Sequence, residues 1–260
     1  MDILRAENLC ISFGGLAAVK NVSFTIPQNK IISLIGPNGA GKTTIFNIIT
    51  GFYQADSGTV ELCGEVINHI SPERRIALGM ARTFQNVRLF RQMTVLENVM
   101  IGNRRHIHYN VADGLLHTKK WKQGEETSTA ACCEILERIG LLDEKDELCS
   151  NLPYGKQKKL EIARALASQP RLLLLDEPAA GLNPQETQEL SAFIRALPSE
   201  SLSVLLIEHD MSMVMNISDY IYVVNQGEQL AEGLPEHVKS NQDVIDAYIG
   251  RGGIRKLAES

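Results

Sequence analysis

The fold is decided by the stretch Gly36-Pro37-Asn38-Gly39-Ala40-Gly41-Lys42-Thr43, which is followed by Thr44. This stretch matches the phosphate-loop pattern, whose glycines let successive backbone N–H groups turn toward phosphate oxygens. The apolar run 31–35 before it predicts a buried strand, and residues 43–50, stopped at Gly51, predict a helix. In this context the pattern predicts binding of a nucleoside triphosphate. Lys42 supplies a charge for the β- and γ-phosphates, and the Thr43 hydroxyl is a ligand for Mg²⁺.

The composition is that of an ordinary globular protein. The chain has 260 residues, 44% hydrophobic and 22% charged, which is enough for one large domain or two small ones. The net charge of −5 gives no basic field, so we expect no nucleic-acid partner. No apolar run approaches the length of a membrane span, and the N-terminus lacks the features of a signal peptide. An odd number of scattered cysteines fits reduced thiols in a cytosol.

A pair of carboxylates follows a second apolar run. Residues 172–175 are all leucine, as in a buried parallel strand, and Asp176 and Glu177 come directly after them. Alone, the pair is more typical of a solvated turn. Because α/β sheets bind ligands at the carboxyl ends of strands, a phosphate loop on a neighbouring strand changes this interpretation. We then expect Asp176 to hold Mg²⁺ and Glu177 to polarise the attacking water.

Two more polar residues follow predicted strand ends. Gln85 comes after the segment 81–84, and His209 comes after the apolar run 203–207 and Glu208. Gln85 is a candidate for binding Mg²⁺ or the water, and His209 for donating a hydrogen bond to the γ-phosphate. Each residue alone is more typical of a surface position. Only the set of four polar positions favours a functional interpretation.

The remaining segments suggest a sheet domain with an insertion. Short segments over residues 3–30 and 58–67 predict an antiparallel sheet beside the main one. Residues 103–124 are polar and predict a surface loop with helical pieces, and residues 125–139 predict a helix that Gly140 ends. Alternation of strands and helices resumes near residue 172 and closes with a short helix over residues 243–248.

The ordered motifs resemble an ABC transporter ATP-binding cassette over nearly the whole chain. They are the phosphate loop, Gln85, Leu152-Pro153-Tyr154-Gly155-Lys156-Gln157, residues 172–177 and His209. The resemblance implies an α/β fold, a P-loop NTPase ABC cassette with a RecA-like core, an antiparallel β subdomain and a helical subdomain. It implies residues 1–85 and 165–240 for the core with the antiparallel β subdomain, 86–164 for the helical subdomain with the signature motif, and 241–260 for a C-terminal helix and tail. It also implies a head-to-tail dimer that encloses two ATP molecules.

The resemblance also implies roles for individual residues. Phe13 resembles the aromatic residue that stacks on adenine, and residues 36–44 with Gly155 correspond to other nucleotide-binding positions. Glu177 resembles the catalytic base and His209 the switch histidine. The implied catalytic set is Lys42, Gln85, Glu177 and His209, and the implied Mg²⁺ ligands are Thr43, Gln85 and Asp176.

The signature motif departs from the family pattern Leu-Ser-Gly-Gly-Gln. Pro153 replaces the serine, Tyr154 the first glycine and Lys156 the glutamine, while Gly155 remains. Proline has neither a side-chain hydroxyl nor a backbone N–H. We therefore expect a weaker contact with the γ-phosphate of a partner's ATP, and unequal ATP sites in a dimer with a different cassette.

The sequence in and around several motifs resembles the LivG-type subunit of bacterial branched-chain amino acid importers. This closer resemblance rests on residues 82–90, 93–99, 154–155, 176–184 and 222–227. It implies an ATPase at the cytoplasmic face of the inner membrane, peripheral to the permease subunits. A second cassette (a LivF-type heterodimer or a homodimer) and, indirectly, an external substrate-binding protein complete the implied complex.

Several alternatives stay open. No residue of a cassette touches the transported molecule, so a urea or amide importer is also possible. Soluble ABC ATPases usually carry tandem cassettes or long coiled coils, and a small-molecule kinase would lack the ordered set of motifs. The apolar side chains of Val87, Leu89, Phe90 and Met93 either form a groove for a permease helix or close the core of the helical subdomain.

Overall fold

The computed structural model describes residues 1–106, 113, 116, 118–199 and 201–249. The chain forms two compact units, residues 1–82 with 171–260 and residues 83–170. The second unit is a few residues wider at each end than the predicted segment 86–164, and the division into subdomains stays a prediction. The predicted tail after residue 249 lies outside the described residues.

The first unit contains a mostly parallel sheet with the order β10-β9-β3-β8-β7-β6. The central strands β3, β7 and β8 are buried along their whole length, which explains why most of their residues are apolar. Only β10 runs antiparallel to its neighbour. The strands are β3 Ile31–Ile35, β6 Met80–Arg82, β7 Leu172–Asp176, β8 Ser203–Ile207, β9 Tyr220–Asn225 and β10 Glu228–Gly233.

A second sheet in this unit is antiparallel, which confirms the prediction from the N-terminal segments. Its order is β2-β1-β4-β5, with strands β1 Asp2–Phe13, β2 Leu16–Pro27, β4 Ser57–Leu62 and β5 Glu65–Val66. Its buried side chains share one core with β3, β7 and β8 and with Phe46 of the helix after the phosphate loop. The helices of the unit are α1 Lys42–Thr50, α2 Pro72–Ala77, α6 Pro184–Arg195, α7 Met211–Ile217, α8 Pro235–Lys239 and α9 Gln242–Ile249.

The described part of the second unit is helical. Its helices are α3 Val95–Asn103, α4 Lys119–Arg138 and α5 Tyr154–Leu166, with short 3₁₀ turns at Arg104–His106 and Cys149–Asn151. The helix predicted for residues 125–139 begins earlier, at Lys119 of α4, so residues 119–124 form one of the helical pieces expected in the segment 103–124. The Thr118 side chain caps this helix by accepting from the Trp121 N–H at 3.3 Å. Residues 107–112, 114, 115 and 117 of that segment lie outside the described residues.

A buried arginine caps the C-terminal end of α1 by hydrogen bonds to its carbonyl oxygens. Arg75 of α2 is 2% exposed, and its guanidinium donates to the carbonyl oxygens of Ile48 and Ile49 in the last turn of α1. It also donates to the carbonyls of Ile67 and Ile70. Burial lowers the pKa of Arg75 to about 10, so the group stays charged at neutral pH. The last carbonyls of a helix lack partners within it. Here Arg75 donates to the Ile49 carbonyl and, together with the Gly51 N–H, to the Ile48 carbonyl.

Replacement of Arg75 by methionine is expected to lower the free energy of unfolding by about 3 kcal/mol, because several buried carbonyls lose a charged donor. Arg74, the exposed neighbour on the same helix, is the matched control, and Arg74→Met is expected to change stability by less than about 0.5 kcal/mol. Urea unfolding of the purified chain measures both. Equal stability of the two variants would contradict the role given to Arg75.

No helix in the described ranges combines the length and the apolar content that crossing a membrane requires.

Candidate functional site

Three parallel strands bring the phosphate loop, the acidic pair and His209 to one edge of the large sheet. β3 pairs with β8, and β8 pairs with β7, all in parallel, so their carboxyl ends point the same way. The phosphate loop follows β3, Glu177 follows β7, and Glu208 and His209 follow β8. The expectation that the acidic pair lies on the strand next to the phosphate loop is wrong, because β8 lies between the two.

The phosphate loop needs glycine where the sequence supplies it. A Cβ at Gly36 would lie 2.0 Å from the carbonyl oxygen of Val224, a backbone atom that cannot move aside easily. Gly39 and Gly41 have φ angles of 78° and 104°, in a region that L side chains rarely adopt. Pro37 and Ala40 are buried, whereas Asn38 and Gly39 are exposed. The loop is therefore a tightly turned backbone with an exposed tip.

Lys42 folds back over the loop that precedes it. Its ammonium donates to the carbonyl oxygens of Gly36 at 2.7 Å and Pro37 at 3.1 Å, and the residue is 7% exposed. Burial lowers the pKa of the ammonium from its ordinary value, and the charges of Glu177 and Asp176 oppose this shift. A positive charge thus sits inside the loop, where a phosphate can bind to it.

The first residues of α1 differ in their accessibility. Thr43 is exposed, and Thr44 is partly buried on the same turn. Because the N–H groups at a helix start have no partners within the helix, this turn adds donors and the positive end of the helix dipole. The Thr43 hydroxyl is accessible to a metal ion or a phosphate.

The carboxylate of Asp176 forms an ion pair with an arginine of the neighbouring strand β6. It is 7% exposed, and its Oδ2 accepts from the Arg82 guanidinium at 2.8 Å. The same guanidinium donates to Asn47 at 2.8 Å and Thr50 at 3.1 Å, both on α1. Arg82 therefore links the carboxylate to the helix of the phosphate loop. The role of Arg82 could not be predicted from the sequence, because its contact with Asp176 depends on the pairing of β6 with β7.

Glu177 and His209 lie side by side. Nδ1 of His209 is 3.5 Å from Oε1 of Glu177, and the histidine side chain is about half exposed. Glu177 has a φ of 48°, a left-handed conformation that costs a residue with a side chain about 1 kcal/mol or more. Its N–H donates to the Ile207 carbonyl at 2.9 Å, which ties the turn to the end of β8. The geometry allows a carboxylate and an imidazole to act on one group.

Phe13 is the last residue of β1, and the residue is 45% exposed. Tyr53 packs edge-to-face against it, with ring centroids 5.2 Å apart. The Tyr53 N–H donates to the Asn47 carbonyl at 3.0 Å, so its backbone is attached to α1. The accessible aromatic surface at Phe13 suits a planar base.

Gln85 and the signature motif belong to the second unit. Gln85 is exposed, and its backbone carbonyl oxygen accepts from the Lys158 ammonium at 2.7 Å. Helix α5 begins at Tyr154, with Pro153 as its N-cap and Gly155 buried. Lys156, at the position of the family's glutamine, forms an ion pair with Glu144. The signature positions thus form the first turn of a helix, without a serine cap.

Family comparisons cover most of the chain. A family model described as ABC transporter matches residues 19–180. A second one, described as branched-chain amino acid ATP-binding cassette transporter, matches residues 228–254.

Individual relatives are similar over nearly their full length. The chain is 48% identical over 249 residues, 95% of this chain and 98% of the relative, to the high-affinity branched-chain amino acid transport ATP-binding protein LivG of Salmonella typhimurium. It is 47% identical, with the same coverage, to the corresponding protein BraF of Pseudomonas aeruginosa. A crystal structure of the ADP conformation of an ATP-binding cassette of an ABC transporter superposes with a TM-score of 0.84 at 35% identity, covering 96% of this chain and 99% of that one.

Proposed function

The chain belongs to the ATP-binding cassette family of ABC transporters, and from that premise we propose that it binds and hydrolyses ATP to drive uptake of leucine, isoleucine and valine through a membrane permease. ATP hydrolysis is supported by the position of Lys42, Glu177 and His209 at the same edge of the large sheet. The choice of leucine, isoleucine and valine as substrates is supported by the near full-length similarity to LivG and BraF.

Nucleotide binding uses the phosphate loop and the aromatic surface. The adenine stacks on Phe13, and the phosphates bind to the loop N–H groups and to the ammonium of Lys42. The exposed Thr43 hydroxyl and the Asp176 carboxylate are oxygen donors of the kind that Mg²⁺ binds, together with phosphate oxygens and water. Mg²⁺, when bound, neutralises charge on the phosphates and eases departure of ADP.

Hydrolysis is a displacement at the γ-phosphorus by water. Glu177 orients the water and accepts its proton, while the bond from the γ-phosphorus to the bridging oxygen breaks and ADP and phosphate are released. His209 donates a hydrogen bond to the γ-phosphate and stabilises its developing charge. Gln85, predicted to contact Mg²⁺ or the water, is carried by the second unit, and its role stays a prediction.

The active assembly is a pair of cassettes on a permease. A second cassette, of the LivF type or another copy of this chain, supplies its signature turn to the ATP held here. Pro153 offers no hydroxyl in return, which supports unequal ATP sites in a mixed pair. An external binding protein delivers the substrate, and the cassettes lie on the cytoplasmic face of the inner membrane.

The test is reconstitution of the complex in liposomes with its binding protein. We expect ATP hydrolysis to rise when the binding protein carries leucine, isoleucine or valine, with uptake of the same amino acid. If urea or a short amide stimulates ATP hydrolysis and the branched-chain amino acids do not, the transported substrate is that of the related urea or amide importers. Hydrolysis that is indifferent to the permease would favour a soluble ABC ATPase.

Phe90 is the proposed centre of the permease contact. The residue is 51% exposed, while its backbone is fixed by hydrogen bonds with Asn98 and with the Cys149 thiol. An exposed aromatic ring on a rigid backbone is typical of a binding hot spot.

Replacement of Phe90 by glutamate is expected to weaken permease binding at least about tenfold, because the charge loses its hydration in the contact, while hydrolysis by the isolated chain is unchanged. Ile76→Glu is the matched control, since Ile76 is 49% exposed on α2 of the first unit. Co-purification with the permease and amino acid uptake measure the effect. Full uptake by the Phe90 variant would show that this side chain serves only the subdomain core.

A further inference from the structure

One buried carboxylate of the first unit is not used by the mechanism above. Glu208 follows β8 directly and is 1% exposed. Its Oε1 accepts from the N–H of Ala179 at 2.7 Å. Its Oε2 accepts from the N–H of His209 at 3.1 Å and, at a longer 3.5 Å, from that of Asp210. A single side chain therefore joins two segments that are about thirty residues apart in sequence.

The bonding explains why this position holds a carboxylate. A buried charge is costly unless its oxygens are hydrogen-bonded. Burial raises the pKa of Glu208, and the N–H groups of Ala179, His209 and Asp210 oppose this rise. Glutamine, which has the same shape, offers one acceptor oxygen and one N–H₂ donor. Only a carboxylate can accept from donors on both segments.

The two joined segments carry the two groups that act on the γ-phosphate. Ala179 lies in the turn that follows Glu177, where the Ala180 N–H donates to the Glu177 carbonyl at 3.2 Å. The other segment begins with His209. The Glu208 carboxylate joins this turn to the chain after β8, and the Glu177 N–H joins it to the last residue of β8, Ile207. A left-handed Glu177 persists only where its surroundings hold it.

We propose that Glu208 is a positioning residue: its carboxylate holds the turn that carries Glu177 against the segment that carries His209, and so keeps these two side chains at the separation that hydrolysis requires. In the structure this separation is 3.5 Å between Oε1 of Glu177 and Nδ1 of His209. The inference rests on the proposed ATPase function. It assigns to Glu208 no contact with the nucleotide.

The first test is Glu208→Gln in the full chain. Since a displacement of about 1 Å in a catalytic group can cost about 100-fold in rate, we expect kcat to fall by about that factor. KM and the Kd of a non-hydrolysable ATP analogue are expected to stay within about twofold, because the phosphate loop is unchanged. Val60→Ala, a cavity variant in the antiparallel sheet, is the control for lost stability alone, and it should lower the Tm without lowering kcat. A normal kcat in Glu208→Gln overturns the proposal.

The second test asks whether Glu208 acts through Glu177. In the Glu177→Gln background, Glu208→Gln is expected to cause little further loss of single-turnover hydrolysis, because the group that it positions is already disabled. A second full loss of about 100-fold, as for independent residues, would overturn the proposal.

Hydrogen exchange separates this inference from the proposed function. In wild-type protein the N–H groups of Ala179 and His209 should exchange slowly, and in Glu208→Gln both should exchange at least about tenfold faster. If the reconstituted complex fails to hydrolyse ATP but this difference is seen, the proposed function fails, while the link that Glu208 makes between the two segments is confirmed. Unchanged exchange at both N–H groups would overturn the proposal that Glu208 links the two segments, whatever the activity.

Discussion

Replacement of Glu177 by glutamine is expected to lower the rate of ATP hydrolysis by about 10²- to 10⁴-fold and to leave ATP binding intact. The amide keeps the shape of the side chain beside His209 but cannot accept the proton of the attacking water. Because ATP then persists in the site, the cassettes should remain paired. Size-exclusion chromatography with ATP and Mg²⁺ measures the pairing, and phosphate release measures turnover.

Glu134→Gln on the exposed face of α4 is the matched control and should behave as wild type. A variant that hydrolyses ATP normally would remove Glu177 from the role of base. If the variant stays monomeric and the wild type is also inactive, the altered signature at Pro153 is the cause, and a different cassette is needed as the partner.

Replacement of Lys42 by alanine is expected to weaken ATP binding at least about 100-fold, since hydrogen bonds from a charged group contribute about 1.5–3 kcal/mol each. The variant also leaves the carbonyls of Gly36 and Pro37 without this donor, so a lower Tm accompanies the loss. Titration calorimetry with a non-hydrolysable ATP analogue measures the affinity.

Lys20→Ala is the control for the loss of a lysine. Its ammonium lies 3.0 Å from Glu228, in an exposed ion pair that contributes little to stability. Affinity within about twofold of wild type is expected for this variant. Comparable affinity in Lys42→Ala would mean that the loop N–H groups alone hold the phosphates.

The parts of the site that sequence could predict are those encoded locally. The phosphate loop is a continuous pattern between a strand and a helix, and the leucine run before Asp176 fixes that carboxylate at a strand end. Both strands and the α1 helix lie where the sequence predicted them. The resemblance to a family added Phe13 and the order of the motifs.

The parts that sequence could not predict depend on the register between distant strands. Arg82 meets Asp176 because β6 pairs with β7, with Arg82 opposite Leu174. Glu208 meets Ala179 for a similar reason, since β7 and β8 are neighbours. The start of α4 was missed because its first turn is polar and its capping residue, Thr118, follows a segment without a clear period.

The connection from β6 to β7 has an evolutionary consequence. Parallel neighbouring strands require a crossover, which in most α/β proteins is a single helix. Here that crossover is the whole second unit, which the chain enters after Arg82 and leaves before Arg171. Recombination at these two points exchanges the whole second unit, while every strand that carries the phosphate loop, Glu177 and His209 keeps its place in the sheet.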